Sequence, residues 1–241
     1  MWFTDLAAKR PLPEAESQPP ITPRVVIVHT MDGTLQDTET MFAAPDFGIE
    51  AHFGIGCPLC PAGLDGAVWQ WMDTDRQADG NLDANEFGIS IETCDHHDPM
   101  RKWSPKQVDA LIRLIGRLCD HYAIPRQVCP AWDGSGLGWH VMWGAPSHWT
   151  PEVKICPGPV RIAQLKETVL PAVLEDDMTP DQLLDALESE RGQKILGKAV
   201  TDVLRAGFGK LAPGHEDDPH IHQNQTWLFA TIEKIRGKLG A

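Results

Sequence analysis

Residues 24–29 read Arg-Val-Val-Ile-Val-His (RVVIVH), four consecutive β-branched residues closed by an imidazole. A run this short and apolar, with no polar alternation, marks a strand buried on both faces, as in a sheet covered by helices. It predicts that His29 emerges at the strand's C-terminal end, where ligands gather in α/β sheets. Upstream, Pro11, Pro13, Pro19, Pro20 and Pro23 remove backbone donors, so residues 1–23 read as an irregular leader. Downstream, Gln36 to Ala44 reads as a short helix. Ala51 to Gly56 (AHFGIG) and Ala67 to Trp71 (AVWQW) read as strands around a turn-rich segment with Gly63 and Asp65-Gly66. Phe87 to Thr93 (FGISIET) is a further buried strand, ending near Glu92.

Ser104-Pro105-Lys106-Gln107 opens a helix: a Ser N-cap, Pro at the first helical position and Gln placed for a capping box. Val108, Leu111, Ile112, Ile115, Leu118, Cys119 and Tyr122 follow at helical spacing and form one apolar stripe. Cys129 to Thr150, rich in Gly, Trp and Pro, reads as loop, and Val160 to Leu174 returns to a helical pattern. This order gives an α/β fold over residues 24–174, a sheet sandwiched by helices. After Pro171 the texture changes. Thr179 to Gln182 is a second capping box before Leu183, Leu184 and Leu187, and another helix is expected from Gln225 to Leu239. Residues 175–241 thus read as a small helical appendage, suited to wall binding, self-association through its apolar faces, or completing the fold.

Composition narrows the function. A net charge of -13 over 241 residues excludes binding nucleic acid by phosphate neutralisation, which needs clustered Lys and Arg. No stretch has the roughly 18 consecutive apolar residues of a membrane span, and the charged, Pro-rich N-terminus lacks a signal-peptide core. The expectation is a cytoplasmically made protein without membrane insertion. Six cysteines are too few for a disulfide scaffold of this length. Seven of the nine tryptophans lie between Trp69 and Trp149, suiting either a sugar-stacking groove or, as the better reading, core and loop packing.

Three features carry chemistry: His29 at a strand end, His140 in a Gly/Trp-rich loop, and Cys156 within Lys154-Ile155-Cys156-Pro157-Gly158-Pro159. Imidazole and thiolate are preferred zinc ligands, and a hydrolytic site needs three of them with a fourth position for water. Each residue alone is ordinary; the combination is not. Cys57-Pro58-Leu59-Cys60 has the spacing of half a structural zinc site or of a redox pair, without a second CxxC to complete it. Two reduced thiols in a loop is the other reading. His96-His97-Asp98 reads as a solvated turn near the cleft, and GHEDDPHIH (214–222) as a polar linker.

VVIVHT, AHFGIG, DGAVWQW, FGISIE, SPKQVDALIRLIGRL, GWH and KICPGP occur in the order found in the zinc-dependent N-acetylmuramoyl-L-alanine amidase and peptidoglycan recognition protein superfamily, which the chain resembles from about Arg24 to Leu170. The stretch from Trp139 to Pro159 looks most like endolysins of phages that infect actinobacteria. The resemblance implies a central mixed sheet flanked by helices, one catalytic Zn2+, and bacterial peptidoglycan as partner and substrate. It puts the metal ligands on His29, His140 and Cys156 and a catalytic lysine on Lys154. Some members carry a catalytic Tyr where this chain has Ala51; others carry a Glu at the end of the G-I-x-I-E strand, and Glu92 matches that version. Substrate contact falls to His52, Trp139 and Trp143. Cys156 follows His140 by 16 positions, more than in many members, so His148 competes as a ligand. A further His that many members carry after the third strand has no match, Ala78 standing nearest. The implied reaction is hydrolysis of the amide between N-acetylmuramic acid and L-alanine, by water whose pKa zinc lowers to about 7. Two other readings are a non-catalytic peptidoglycan-binding module of the same fold and a zinc hydrolase of another amide.

Overall fold

In a computed structural model of the chain, the described residues are 1–175 apart from 62, 96, 97, 99 and 153. The chain divides into two units, and these residues fall in the first, Met1–Asp176. Beyond Glu175 the expected appendage lies outside the described residues, as do the GHEDDPHIH run and the His96-His97 pair.

RVVIVH becomes the core of β2 (Val25–Met31), which runs two residues past His29. Around it lie β1 (Ala8–Lys9), β3 (Phe53–Ile55), β4 (Val68–Gln70), β5 (Gly88–Cys94) and β6 (Gly136–Trp139). They form one mixed sheet in the order β1-β4-β3-β5-β2-β6. β3 and β4 pair antiparallel, and the other four pairings are parallel.

Side-chain alternation divides the sheet into two faces. Val26 and Val28 of β2, Ile89 and Ile91 of β5, and Phe53 and Ile55 of β3 pack in one cluster with Leu111, Leu114, Ile115 and Leu118 of α2 (Pro105–Tyr122). Val25 and Ile27 join Ala84, Phe87 and Trp149 in a second cluster, and Met31 joins Leu35 and Phe42 of α1 (Leu35–Phe42) in a third. Parity therefore places His29 and Glu92 on the face away from α2.

Helix α2 starts as its sequence dictates. The Ser104 hydroxyl accepts from the Gln107 backbone N–H, the Gln107 side chain accepts from the Ser104 N–H, and Pro105 takes the first position.

Three features differ from the sequence reading. The Pro-rich opening is mostly irregular, yet β1 pairs with β4 and Phe3, Leu12 and Ala15 are buried. Proline prevents long ladders there but does not prevent apolar side chains from filling grooves. The segment read as loop from Cys129 to Thr150 contains β6, paired with β2 over Val25–Val28. Its glycines hid it: the Trp149 ring lies 2.6 Å from where a Cβ on Gly138 would sit, so only glycine permits this strand and this tryptophan together. The last helical stretch is not uniform. α3 (Pro159–Gln164) passes through a π turn (Leu165–Val169) into α4 (Leu170–Glu175), and the Leu170 N–H reaches back to Leu165 O. Pro171 has no N–H and its ring crowds the carbonyl four residues back, a conflict that a wider turn relieves.

Candidate active site

Three adjacent parallel strands present their C-terminal ends side by side. In the β2–β5 ladder His29 stands opposite Glu92, and in the β2–β6 ladder Val28 stands opposite Trp139, which brings the next residue, His140, beside His29. The two imidazole centroids are 4.1 Å apart. His29 Nδ1 is 3.7 Å from Glu92 Oε1.

Cys156 arrives from a distant loop. The Thr30 N–H, one residue past His29, donates to its Sγ at 3.1 Å, and Val141 N–H, one residue past His140, donates to its carbonyl at 3.1 Å. Gly158, with φ +97°, takes a backbone conformation that L side chains rarely adopt and turns the chain into α3. The donor atoms of His29, His140 and Cys156 all lie within 4.8 Å of one another.

The charge state suits a cation. Burial holds His29 well below the ordinary imidazole range, with His140 adding to the effect, and burial with the nearby Lys154 charge brings His140 down to about 4. Both rings are therefore neutral at pH 7, the form that binds metals. Burial, and secondarily Glu92, pushes the Cys156 thiol up, and burial with Asp95 pushes Glu92 up to about 8. A cation would reverse both effects. Two buried atoms, His140 Nδ1 and Glu92 Oε2, have no hydrogen-bond partner among the described residues. Two neutral imidazoles, one of them with an orphaned ring nitrogen, and one thiol fit a zinc ion.

His29 is held from behind. Its Nε2 is 2.6 Å from Asn81 Oδ1, and Asn81 Nδ2 donates to Ser90 Oγ at 2.8 Å. The pairing makes Nε2 the protonated nitrogen and leaves Nδ1 to face the cluster. Asn81, fully buried, was not singled out in the sequence, because nothing local marks an Asn before a short 3-10 helix as a partner for a strand 52 residues away. Ala78, the position nearest to the family's additional His, is buried in apolar surroundings.

Other expected residues fall elsewhere. His148 bonds Asp83 Oδ2 at 2.8 Å and stacks on Trp132 at 4.2 Å, outside the donor group. His52 is fully buried, its Nε2 on Arg76 O and its Nδ1 accepting from Ser90 N–H, so it braces the backbone and does not face a cleft. Trp139 packs with the α2-side core under Lys166, and Trp143 meets Trp149 edge-on at 6.4 Å. Lys154 is exposed and lines a cavity of about 360 Å³ beside Cys156, together with Thr30, Asp32, Asp95, Ile155 and Pro157.

Donors at the ends of parallel strands, with a buried acid against them, define a site able to bind a cation and move a proton. The model of the N-acetylmuramoyl-L-alanine amidase family matches residues 18–159, more than half of the chain with His29, Glu92, His140, Lys154 and Cys156 inside it, and the chain belongs to that family. Among solved structures it is similar to PlyL (17% identity, 72% of this chain and 97% of that one, TM-score 0.48). It is also similar to a selenomethionine AmpD derivative (19%, 68% and 94%, 0.48) and to the amidase LysC of Clostridium intestinale URNW (15%, 67% and 98%, 0.46). No curated protein matches the chain.

Proposed function

We propose that this protein is a zinc-dependent peptidoglycan amidase, an endolysin that hydrolyses the bond between the lactyl group of N-acetylmuramic acid and the L-alanine of the stem peptide. The observation that carries this reading is the convergence of His29, His140 and Cys156, with Glu92 at 3.7 Å from His29.

His29, His140 and Cys156 would hold the ion. Bound there, zinc supplies Lewis acidity, polarising the scissile carbonyl and acidifying water. Glu92 takes the proton of the attacking water and delivers it to the leaving alanine nitrogen, a role worth about 10²- to 10⁴-fold. Lys154, at the cavity mouth beside Cys156, offsets the negative charge that develops on the carbonyl oxygen. Asn81 keeps His29 in the required tautomer. No helix among the described residues is long and apolar enough to cross a membrane. The substrate is the bacterial cell wall, which a lytic enzyme made in the host cytoplasm meets from within.

Mass spectrometry of digested cell wall tests the assignment. New N-terminal alanine on intact glycan is expected from the wild type, and folded Glu92→Gln and Cys156→Ser variants should lose it. New reducing ends, or undiminished release by both variants, would refute the proposal.

A further inference from the structure

A second donor group lies on the same sheet face, outside the amidase site. Cys57, Cys60 and Cys94 are all buried, and their three sulfurs lie within 4.8 Å of one another. Cys60 Sγ is 3.5 Å from Cys94 Sγ, and the Cys57 N–H points at Cys60 Sγ at 3.4 Å. Met31 Sδ is 3.4 Å from Cys94 Sγ. These residues come from three parts of the chain: the turn after β3, the end of β5 and the end of β2.

We propose that Cys57, Cys60 and Cys94 form a second, structural site for a thiophilic metal ion of the Zn2+ class, with the Met31 thioether at its edge. A zinc–sulfur bond of about 2.3 Å sets bound thiolates about 3.8 to 4.0 Å apart, within small side-chain shifts of the separations found here. The C-x-x-C turn is zinc-knuckle spacing, and Cys94 supplies the third thiolate that the sequence alone did not offer. Three thiols with a thioether make a soft donor set. Binding releases three thiol protons to solvent and leaves a single net negative charge on the complex.

The location gives the ion a task. Cys94 follows Glu92 by two residues on β5, and Met31 follows His29 by two on β2, so period-two alternation puts each on the same face as its neighbour. An ion here fastens the ends of the two strands that carry the acid and the first ligand, and ties the 57–60 turn to them.

The test is the zinc content of the purified, thiol-reduced full chain by mass spectrometry. Two equivalents are expected in the wild type, one in a His140→Ala/Cys156→Ala variant and one in a Cys57→Ala/Cys60→Ala variant. A single equivalent in the wild type, lost with His140 and Cys156 but kept without Cys57 and Cys60, overturns the second site and leaves the amidase reading standing. A single equivalent with the reverse pattern supports the second site and removes the first. Titration of thiols in denaturant with chelator, on protein purified without reductant, should count all six cysteines, and four, with Cys60 and Cys94 found joined by peptide mapping, overturns the proposal. Should the Cys57/Cys60 variant fail to fold, Co2+ titration of the wild type decides. Two equivalents with thiolate-to-cobalt absorption support the site, and saturation at one overturns it.

Discussion

Replacing Asn81 by Ala removes the side chain that holds the ring of His29 through Nε2. The Asn81 oxygen accepts from His29 Nε2 at 2.6 Å, in a setting where both residues are buried. Without it a buried N–H loses its partner, a loss of about 1–3 kcal/mol in folded-state stability. The ring is also freed to change tautomer, and loss of such an outer partner lowers metal affinity about 10- to 100-fold, or about 1.4–2.8 kcal/mol. Zinc affinity, measured by competition with a chromophoric chelator, should fall by one to two decades. The urea midpoint of the metal-free protein should fall as well, and Asn81→Asp, which keeps the acceptor, should restore most of both. Affinity within twofold of wild type and an unmoved midpoint in Asn81→Ala would refute the orienting role.

Three further outcomes are expected. Lys154→Met should lower kcat for stem-peptide release by about 10²- to 10³-fold while leaving zinc affinity near wild type, as checked by steady-state kinetics and chelator competition. Burial and the neighbouring Asp79 push Glu50 up to about 7 from an ordinary value of 4.5. The folded state thus holds this proton more tightly than the unfolded chain, and the stability it confers below pH 4.5 is lost as pH rises through 7. Glu50→Gln should flatten that decline, exceeding wild type by about 1–3 kcal/mol at pH 8 in urea titrations. Ser104→Ala removes the N-cap of α2 and should cost about 1 kcal/mol, read as a Tm lower by about 2–4 °C.

What the sequence disclosed was whatever rests on local chemistry. RVVIVH declares a buried strand because four branched aliphatic residues in a row suit few other places, and Ser104 with Gln107 declares a helix start because both partners sit within one turn. The donors His29, His140 and Cys156 were legible as residue types. Their convergence came with the family resemblance and not from any one segment, since it depends on β6 pairing beside β2, and β6 is a Gly-Leu-Gly-Trp segment stabilised by its neighbours and not by its own propensity. Asn81 and Cys94 were silent for the same reason: each acquires its role from a partner more than thirty residues away. The contacts of His52, Trp139 and Trp143 were equally unreadable: His52 is buried and accepts from Ser90 N–H, Trp139 packs on the α2 side of β6, and Trp143 meets Trp149 edge-on.

The ladder that aligns β5, β2 and β6 also determines which insertions this protein can survive. One residue added within β2 before His29 or within β5 before Glu92 would rotate the donor to the α2 side and extinguish the site at a stroke. The exposed excursion at Ala145–Ser147 answers to no such parity, because Trp149 is seated again in the core after it and Cys156 is anchored afresh by Thr30 and Val141. Length can therefore drift in that excursion, and reshape the rim of the cleft, while the chemistry beneath it stays put.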